Sequence, residues 1–204
     1  MTVFTSPPAA HHFKKLTPTE LEHSMWQSLT HWDQTSDVWV FAYGSLIWRP
    51  DFEYVEQRTA TLHGYHRSLC LWSRINRGTP DTPGVVFALD QGGSCEGIAY
   101  RIAANQVKHI FPPLWQREMP SGAYNPKWVD CYLDPHTVVS ALAFVINPNT
   151  DAYVPTMPLE QLRQVIHAAH GLNGPCIEYV LETAHALKKA NIADPKLEHL
   201  VQYL

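Results

Sequence analysis

The chain has 204 residues, of which 45% are hydrophobic and 17% are charged, and its formal net charge is −4. A chain of this length and apolar content can bury enough surface for one stable domain, which excludes a fully disordered protein. The lack of a basic excess argues against a protein that binds nucleic acid through bulk electrostatics.

The chain begins with a proline- and histidine-containing stretch, 1–16, which is predicted to be a flexible arm. Thr17 and Glu20 have the spacing of a capping box around Pro18 and therefore predict the start of a helix. Four apolar side chains are expected to form the buried face of that helix: Leu21, Met25, Trp26 and Leu29. Residues 17–204 are predicted to form a single domain.

The middle of the chain is rich in β-branched and aromatic residues separated by glycine and proline, which predicts strands. The predicted strands are 38–42, 58–67, 69–72, 84–89, 96–102, 128–133 and 137–146. Between them, Asn105 is predicted to cap a helix that Pro112 and Pro113 break or kink, with a short second piece at 114–119.

The last third of the chain has helical spacing of its apolar residues, with helix starts predicted near Leu159, Pro175 and Pro195. Because the strands precede these helices instead of alternating with them, the pattern favours an α+β fold. A small closed or partly closed sheet with helices outside it is the expected architecture, since closure removes exposed strand edges.

Four widely spaced cysteines, Cys70, Cys95, Cys131 and Cys176, form no metal-binding or redox motif. They are expected to be reduced, buried core residues. No secretory signal or membrane-spanning run is visible, because the longest apolar stretch has nine residues and a span needs about 20. We therefore expect a soluble, cytoplasmic protein.

Metal binding has weak support in the sequence. His167 and His170 are three residues apart on a predicted helix, but two imidazoles without a nearby acidic partner do not make a site. We predict no metal ion and no cofactor.

The first candidate functional segment is the turn that follows the strand 38–42. Tyr43, Gly44, Ser45 and Leu46 stand where an apolar strand stops, and a Gly-Ser pair there allows a sharp turn that exposes successive backbone N–H groups. Such groups can hold a carboxylate or a developing oxyanion. Taken alone, the segment also fits an ordinary tight turn.

The second candidate is Glu118, which lies beside an aromatic residue, Trp115, and a methionine, Met119, near a glycine-containing turn. Acidic residues with apolar neighbours are unusual in a chain with so few charges. Without further information, however, a single glutamate at a helix end is most often solvated or ion-paired.

Several blocks of the sequence together resemble the ChaC-like γ-glutamylcyclotransferases. The opening block is 40–52, which reads Val-Phe-Ala-Tyr-Gly-Ser-Leu-Ile-Trp-Arg-Pro-Asp-Phe. Further blocks follow in the same order at 77–86, 97–101, 117–124 and 171–179. Asn76 stands where family members often have histidine, and the arm before the first strand is not part of the shared pattern.

The resemblance implies a small mixed β-barrel with surrounding helices and the cleavage of glutathione to 5-oxoproline and cysteinylglycine without a cofactor. It also implies that Glu118 is the catalytic glutamate, that Tyr43, Gly44, Ser45 and Leu46 cradle the substrate, and that Tyr124 contacts it. Arg77 or Arg49 is our candidate for the cation that anchors the glycine carboxylate, since a guanidinium group suits carboxylates.

The chemistry is consistent with these residue types. The α-amine of the glutamyl group attacks its own γ-carbonyl, so the protein needs no nucleophile and only has to hold the bent conformer. A carboxylate can accept the amine proton and pass it to the departing amine. Because an ordinary glutamate is a weak base, Glu118 is predicted to be largely buried, with a raised pKa.

Three alternatives remain open at this point. The substrate could be another γ-glutamyl amine or γ-glutamyl amino acid. The chain could be a binding or regulatory protein without activity, as the label of cation-transport regulator given to some members of the family suggests. Finally, Ser45 could be the nucleophile of a serine hydrolase, which would require a covalent acyl-enzyme.

Overall fold

The computed structural model describes residues 15–204. The strands are β1 (Val38–Ala42), β2 (Glu56–Ser73), β3 (Gly84–Ile102), β4 (Tyr124–Asp134), β5 (Thr137–Ile146), β6 (His170–Gly171) and β7 (Gly174–Pro175). The α-helices are α1 (Pro18–Ser28), α2 (Ala104–Glu118), α3 (Leu159–Ala168), α4 (Cys176–Lys189) and α5 (Pro195–Tyr203). The predicted arm 1–16 lies almost wholly outside the described residues and stays a prediction.

Five strands form a closed barrel in the order β1-β3-β2-β4-β5, which β1 closes by pairing with β5. Most neighbours are antiparallel, whereas the β1–β5 and β3–β5 pairs are parallel, so the barrel is mixed. The interior is filled by apolar side chains of all five strands, as expected for a barrel of this size. The prediction of a small mixed barrel in an α+β fold is confirmed.

The four strands predicted between residues 58 and 102 are in fact two long strands, β2 and β3. The sequence pattern was interrupted near the places where the pairing of these strands shifts, between His63 and Tyr65 and between Leu69 and Leu71. At the first shift Gly64 has a positive φ of 86°, which glycine adopts without strain. Bulges therefore bend two continuous strands around the barrel where turns were expected.

The predicted break at Pro112 and Pro113 and the separate piece at 114–119 are not present, because α2 runs without interruption from Ala104 to Glu118. The two prolines leave the carbonyls of Lys108 and His109 without their intrahelical donors, and both residues are exposed, so water can satisfy these groups. The opposite face of α2 is anchored by buried side chains, which offset the cost: Val107, Ile110, Phe111, Leu114 and Trp115.

Two smaller expectations about helices were also wrong. The N-terminal cap of α2 is not Asn105, because the helix begins earlier and Asp37 accepts a hydrogen bond from the N–H of Ala104 at 3.0 Å. Trp26 is 39% exposed and so is not part of the buried face of α1, whereas Met25 and Leu29 are. The capping box formed by Thr17 and Glu20 is confirmed.

The four cysteines are buried and free, as predicted. Burial raises the pKa of each thiol, to about 12 for Cys70 and Cys131 and to about 11 for Cys95 and Cys176, which makes them poor nucleophiles. Within residues 15–204, no helix is long and apolar enough to cross a membrane.

Candidate active site

A cavity of about 1060 Å³ opens where β1 ends, and every predicted site residue lines it. Those residues are Tyr43, Gly44, Ser45, Leu46, Arg77, Glu118 and Tyr124. They come from four separate stretches of the chain, and the closed barrel and α2 bring them together. Arg49, the other guanidinium considered, also lines the cavity.

Glu118 is the last residue of α2, and its side chain is only 14% exposed. Burial raises the pKa of this carboxyl above its ordinary value of 4.5, and the neighbouring Arg117, at 3.2 Å, partly opposes that effect. Glu118 is therefore largely buried, as predicted, and this burial moves its pKa in the predicted direction. A carboxylate in this condition is a better proton acceptor at neutral pH than an exposed one.

Three buried phenols, Tyr43, Tyr124 and Tyr179, line the cavity, and we call them the tyrosine wall. The Tyr43 hydroxyl donates to the Phe144 carbonyl at 2.6 Å, and the Tyr124 hydroxyl donates to the Phe87 carbonyl at 3.3 Å. The Tyr179 hydroxyl accepts from the Phe87 N–H at 3.0 Å. Backbone groups of β3 and β5 thus fix all three rings.

The charge of Glu118 affects the pKa values of the tyrosine wall. Burial raises the pKa of Tyr43, Tyr124 and Tyr179, and the nearby Glu118 carboxylate raises each of them further. The three phenols therefore stay protonated beside the Glu118 carboxylate. Tyr43 and Tyr124 already donate to backbone carbonyls, whereas the Tyr179 hydroxyl, which accepts from the Phe87 N–H, keeps its proton for a ligand.

The turn after β1 is a short 3₁₀ helix, Ser45–Ile47, and Gly44 is its N-cap residue. The first N–H groups of a helix have no intrahelical acceptor, so this turn can present backbone donors to a ligand. Gly44 is required here by close packing, because an added Cβ would lie 2.9 Å from the Tyr179 hydroxyl. The turn is also held from behind, where the Arg67 Nε donates to the Tyr43 carbonyl at 2.6 Å.

Arginines also line the cavity, and we call Arg49, Arg77 and Arg117 the arginine wall. Arg117 donates to Asp51 at 3.0 Å and to the Ser45 hydroxyl at 3.0 Å, so it ties Glu118 to the turn. Arg49 is half-exposed and paired with Asp51 at 2.8 Å.

Arg77 is the buried member of the arginine wall, at 7% exposure. Its guanidinium lies 5.9 Å from the Trp48 ring centre and 5.7 Å from that of Tyr179, and it donates to the Pro175 carbonyl at 3.1 Å. Burial lowers the pKa of Arg77, and the carboxylate of Glu178, 3.6 Å away, opposes this. A guanidinium remains charged in such a setting and can bind a carboxylate.

Sequence reasoning missed two residues that organise the site, Arg117 and Tyr179. Arg117 stands next to Glu118, and Tyr179 lies in the last of the blocks that carry the family resemblance, so both positions held a signal.

His167 and His170 do not lie on one helix as expected, because α3 ends at Ala168 and His170 lies in β6. In residues 15–204, no cluster of three or more His, Cys, Asp or Glu side chains could hold a metal ion.

Comparison with known proteins identifies the family of the chain. The family model described as ChaC-like protein matches residues 38–204. The chain belongs to this family. An Escherichia coli (strain K12) relative, a glutathione-specific γ-glutamylcyclotransferase, is 36% identical over 164 residues, which are 80% of this chain and 71% of the relative. The human glutathione-specific γ-glutamylcyclotransferase 1 is also 36% identical, over 72% of this chain and 68% of its own.

Solved structures confirm the fold of this ChaC-like chain. The crystal structure of the yeast γ-glutamyl cyclotransferase specific to glutathione superposes with a TM-score of 0.76, at 22% identity. The superposition covers 82% of this chain and 95% of the yeast protein. The family and the fold predicted from the sequence are thus confirmed.

Proposed function

We propose that this ChaC-like chain is a γ-glutamylcyclotransferase that converts glutathione to 5-oxoproline and cysteinylglycine. The observation that carries the proposal is the buried carboxylate of Glu118 in a cavity that it shares with the turn after β1. The names of the Escherichia coli, human and yeast relatives support the same substrate.

The reaction is an intramolecular displacement. The α-amine nitrogen of the glutamyl group forms a bond to its own γ-carbonyl carbon, and the amide bond to cysteine breaks. Glu118 accepts the proton that the amine loses and gives it to the departing amine nitrogen, so the carboxylate is regenerated. Holding the substrate in the bent conformation supplies a large part of the rate enhancement, because both reacting groups belong to one molecule.

The other residues bind and orient the substrate in this proposal. Backbone N–H groups of Tyr43, Gly44, Ser45 and Leu46 receive the glutamyl α-carboxylate or the developing oxyanion. The hydroxyl oxygen of Tyr124, whose proton goes to the Phe87 carbonyl, accepts a hydrogen bond from the glutamyl amine, and Arg77 faces a substrate carboxylate. We favour Arg77 over Arg49 because Arg77 is buried in the cavity, whereas Arg49 is half-exposed and lies 2.8 Å from Asp51, closer than the 3.6 Å between Arg77 and Glu178.

A serine hydrolase mechanism through Ser45 has less support. The Ser45 hydroxyl accepts a hydrogen bond from Arg117, and a guanidinium cannot remove a proton because it stays protonated. The cytoplasmic location also remains part of the proposal, and the four free thiols favour a reducing compartment.

The test is a product assay with the purified protein. We expect 5-oxoproline and cysteinylglycine in equal amounts from glutathione, and much slower release of 5-oxoproline from γ-glutamyl-alanine. A faster reaction of γ-glutamyl-alanine would assign the other substrate class, and no product from either compound would refute the proposal. Ser45→Ala should retain activity, whereas a serine hydrolase would lose it.

A further inference from the structure

The chain just before α1 is docked beside Glu118, although it lies outside the region that the family model matches. The Leu16 N–H donates to the Pro120 carbonyl at 2.9 Å. The Leu16 side chain covers Gly122, since a Cβ added there would lie 3.6 Å from Leu16 Cδ1. Pro120 and Gly122 belong to the turn that directly follows Glu118, so this contact places the preceding residue, Lys15, at the site.

Lys15 is exposed and lines the same cavity as Glu118 and Ser121, which locates it at the cavity mouth. Among residues 15–204, no carboxylate forms an ion pair with Lys15. The arginines that line the cavity differ, because each donates to a protein acceptor: Arg49 and Arg117 to Asp51, Arg74 to the Pro80 carbonyl and Arg77 to the Pro175 carbonyl. Lys15 is therefore an exposed cation at the mouth with no acceptor among residues 15–204, whereas the buried Arg77 is left for the α-carboxylate of the glutamyl group.

We propose that Lys15 is a specificity-determining residue that pairs with the terminal carboxylate of the dipeptide part of the substrate. The inference rests on the proposed function, in which the glutamyl end lies against Glu118 and the turn after β1. The remainder of the substrate then extends toward the mouth and ends in a carboxylate. The ammonium group of a lysine on its flexible stem suits a contact at an open mouth, where no rigid two-point geometry is needed.

The expected effect is on KM and not on kcat. The terminal carboxylate is remote from the bonds that change, so Lys15 stabilises the bound substrate and the transition state equally. An exposed ion pair of this kind changes affinity by about two- to fivefold. Charge reversal adds repulsion, so Lys15→Glu should raise KM for glutathione by roughly five- to twentyfold.

The experiment compares glutathione with its glycine ethyl ester, which lacks the terminal negative charge. We expect Lys15→Glu to raise KM for glutathione and to leave KM for the ester unchanged, while Lys15→Arg keeps the wild-type value for both. Lys196→Glu, the same charge change at an exposed position of α5 away from the cavity, is the matched control and should change neither. Added salt should reduce the difference between wild type and Lys15→Glu.

A second variant tests whether docking of the segment matters. Leu16→Gly removes the side chain that covers Gly122, so it should raise KM for glutathione and leave KM for the ester unchanged. Equal effects on glutathione and ester, or no effect of Lys15→Glu on glutathione, would overturn the inference.

Failure of the inference can be distinguished from failure of the proposed function. If wild type releases 5-oxoproline but Lys15→Glu behaves like wild type, only the inference fails. Calorimetric titration of glutathione and its ester into wild type and Lys15→Glu gives a second readout that needs no turnover. Equal dissociation constants of glutathione for the two proteins would reject the role of Lys15 even if no product is formed.

Discussion

The two walls of the cavity are built in different ways. The hydroxyls of the tyrosine wall are held by backbone atoms of β3 and β5, inside the closed barrel. The arginine wall is held by side chains and carbonyls of loops and of the segment before α4, such as Asp51 and Pro175. One wall therefore has the rigidity of the barrel, and the other depends on connections outside it.

The difference corresponds to two tasks. Raising the proton affinity of a carboxylate needs burial and fixed neighbours, which a barrel end provides for Glu118. Recognising charged ends of a substrate needs cations near water, which loops can supply and vary without disturbing the core. We expect substitutions of Glu118 or of the tyrosine wall to change the rate of the chemical step. Substitutions of the arginine wall should change substrate affinity.

The largest expected effect comes from Glu118→Gln, which removes the proton acceptor and keeps the size of the side chain. We predict a fall in kcat of about 10²–10⁴-fold, or about 3–5 kcal/mol of barrier, with the fold intact. Steady-state kinetics with glutathione measure kcat, and circular dichroism shows whether the fold is intact. Glu182→Gln, on the exposed face of α4, is the control and should be as active as wild type. An unchanged kcat in Glu118→Gln would remove the carboxylate from the mechanism.

The next effect concerns the support behind the turn. Arg67 is 4% exposed and pairs with Asp194 at 2.5 Å, while it also donates to the carbonyls of Tyr43 and Glu96. Asp194→Asn keeps the cap of α5 but leaves the buried guanidinium without its counter-charge. We predict a loss of about 3 kcal/mol in the free energy of unfolding, which lowers Tm by about 6–12 °C.

Thermal and urea denaturation of Asp194→Asn measure this loss. Glu160→Gln is the control, because its pair with Arg163 is exposed and 3.9 Å long, and its removal should cost under about 1 kcal/mol. Equal stability of the two variants would show that Arg67 finds sufficient partners in the backbone carbonyls alone.

The sequence predicted the class of fold and many of the elements because local patterns determine them. Strand β5 was predicted with its observed bounds, and the capping box at Thr17 was predicted correctly. The continuity of β2 and β3 was not predicted, because bulges interrupt the alternation of apolar and polar residues. The uninterrupted course of α2 through Pro112 and Pro113 depends on tertiary packing of its other face, which no local rule contains.

The candidate site was likewise predictable from the sequence only in part. Glu118 was found through the resemblance of the blocks around it, since a lone glutamate at a helix end carries no distinctive pattern. Arg117 and Tyr179 carried only the signal of the blocks in which they stand, because their importance comes from contacts across 72 and 92 positions of the chain, with Ser45 and Phe87. Only the closed barrel shows that these side chains meet.

A third prediction tests how closely the turn must pack against the tyrosine wall. Gly44→Ala places a Cβ 2.9 Å from the Tyr179 hydroxyl, which is itself fixed by the Phe87 N–H. The turn must shift, and we expect kcat/KM to fall by about 10–100-fold, since small displacements of positioning groups have effects of this size. The double variant Gly44→Ala/Tyr179→Phe removes the clashing oxygen and should lose less activity than the sum of the single variants. Strict additivity would exclude this contact as the cause.

The smallest expected effect is a pH dependence of stability that originates from Glu118. Because burial raises its pKa in the folded state above the ordinary value of 4.5, both states are protonated at low pH and the folded state is not penalised there. As pH rises through the folded-state pKa, the folded state holds a proton that the unfolded state has released, and stability falls by at most about 1.4 kcal/mol per pH unit. Glu118→Gln lacks this dependence, so the Tm of the variant minus that of wild type should increase from pH 4 to pH 8. A difference that decreases with pH would mean that the ion pair with Arg117 outweighs burial. In that case Glu118 would be a structural anion and not the proton acceptor.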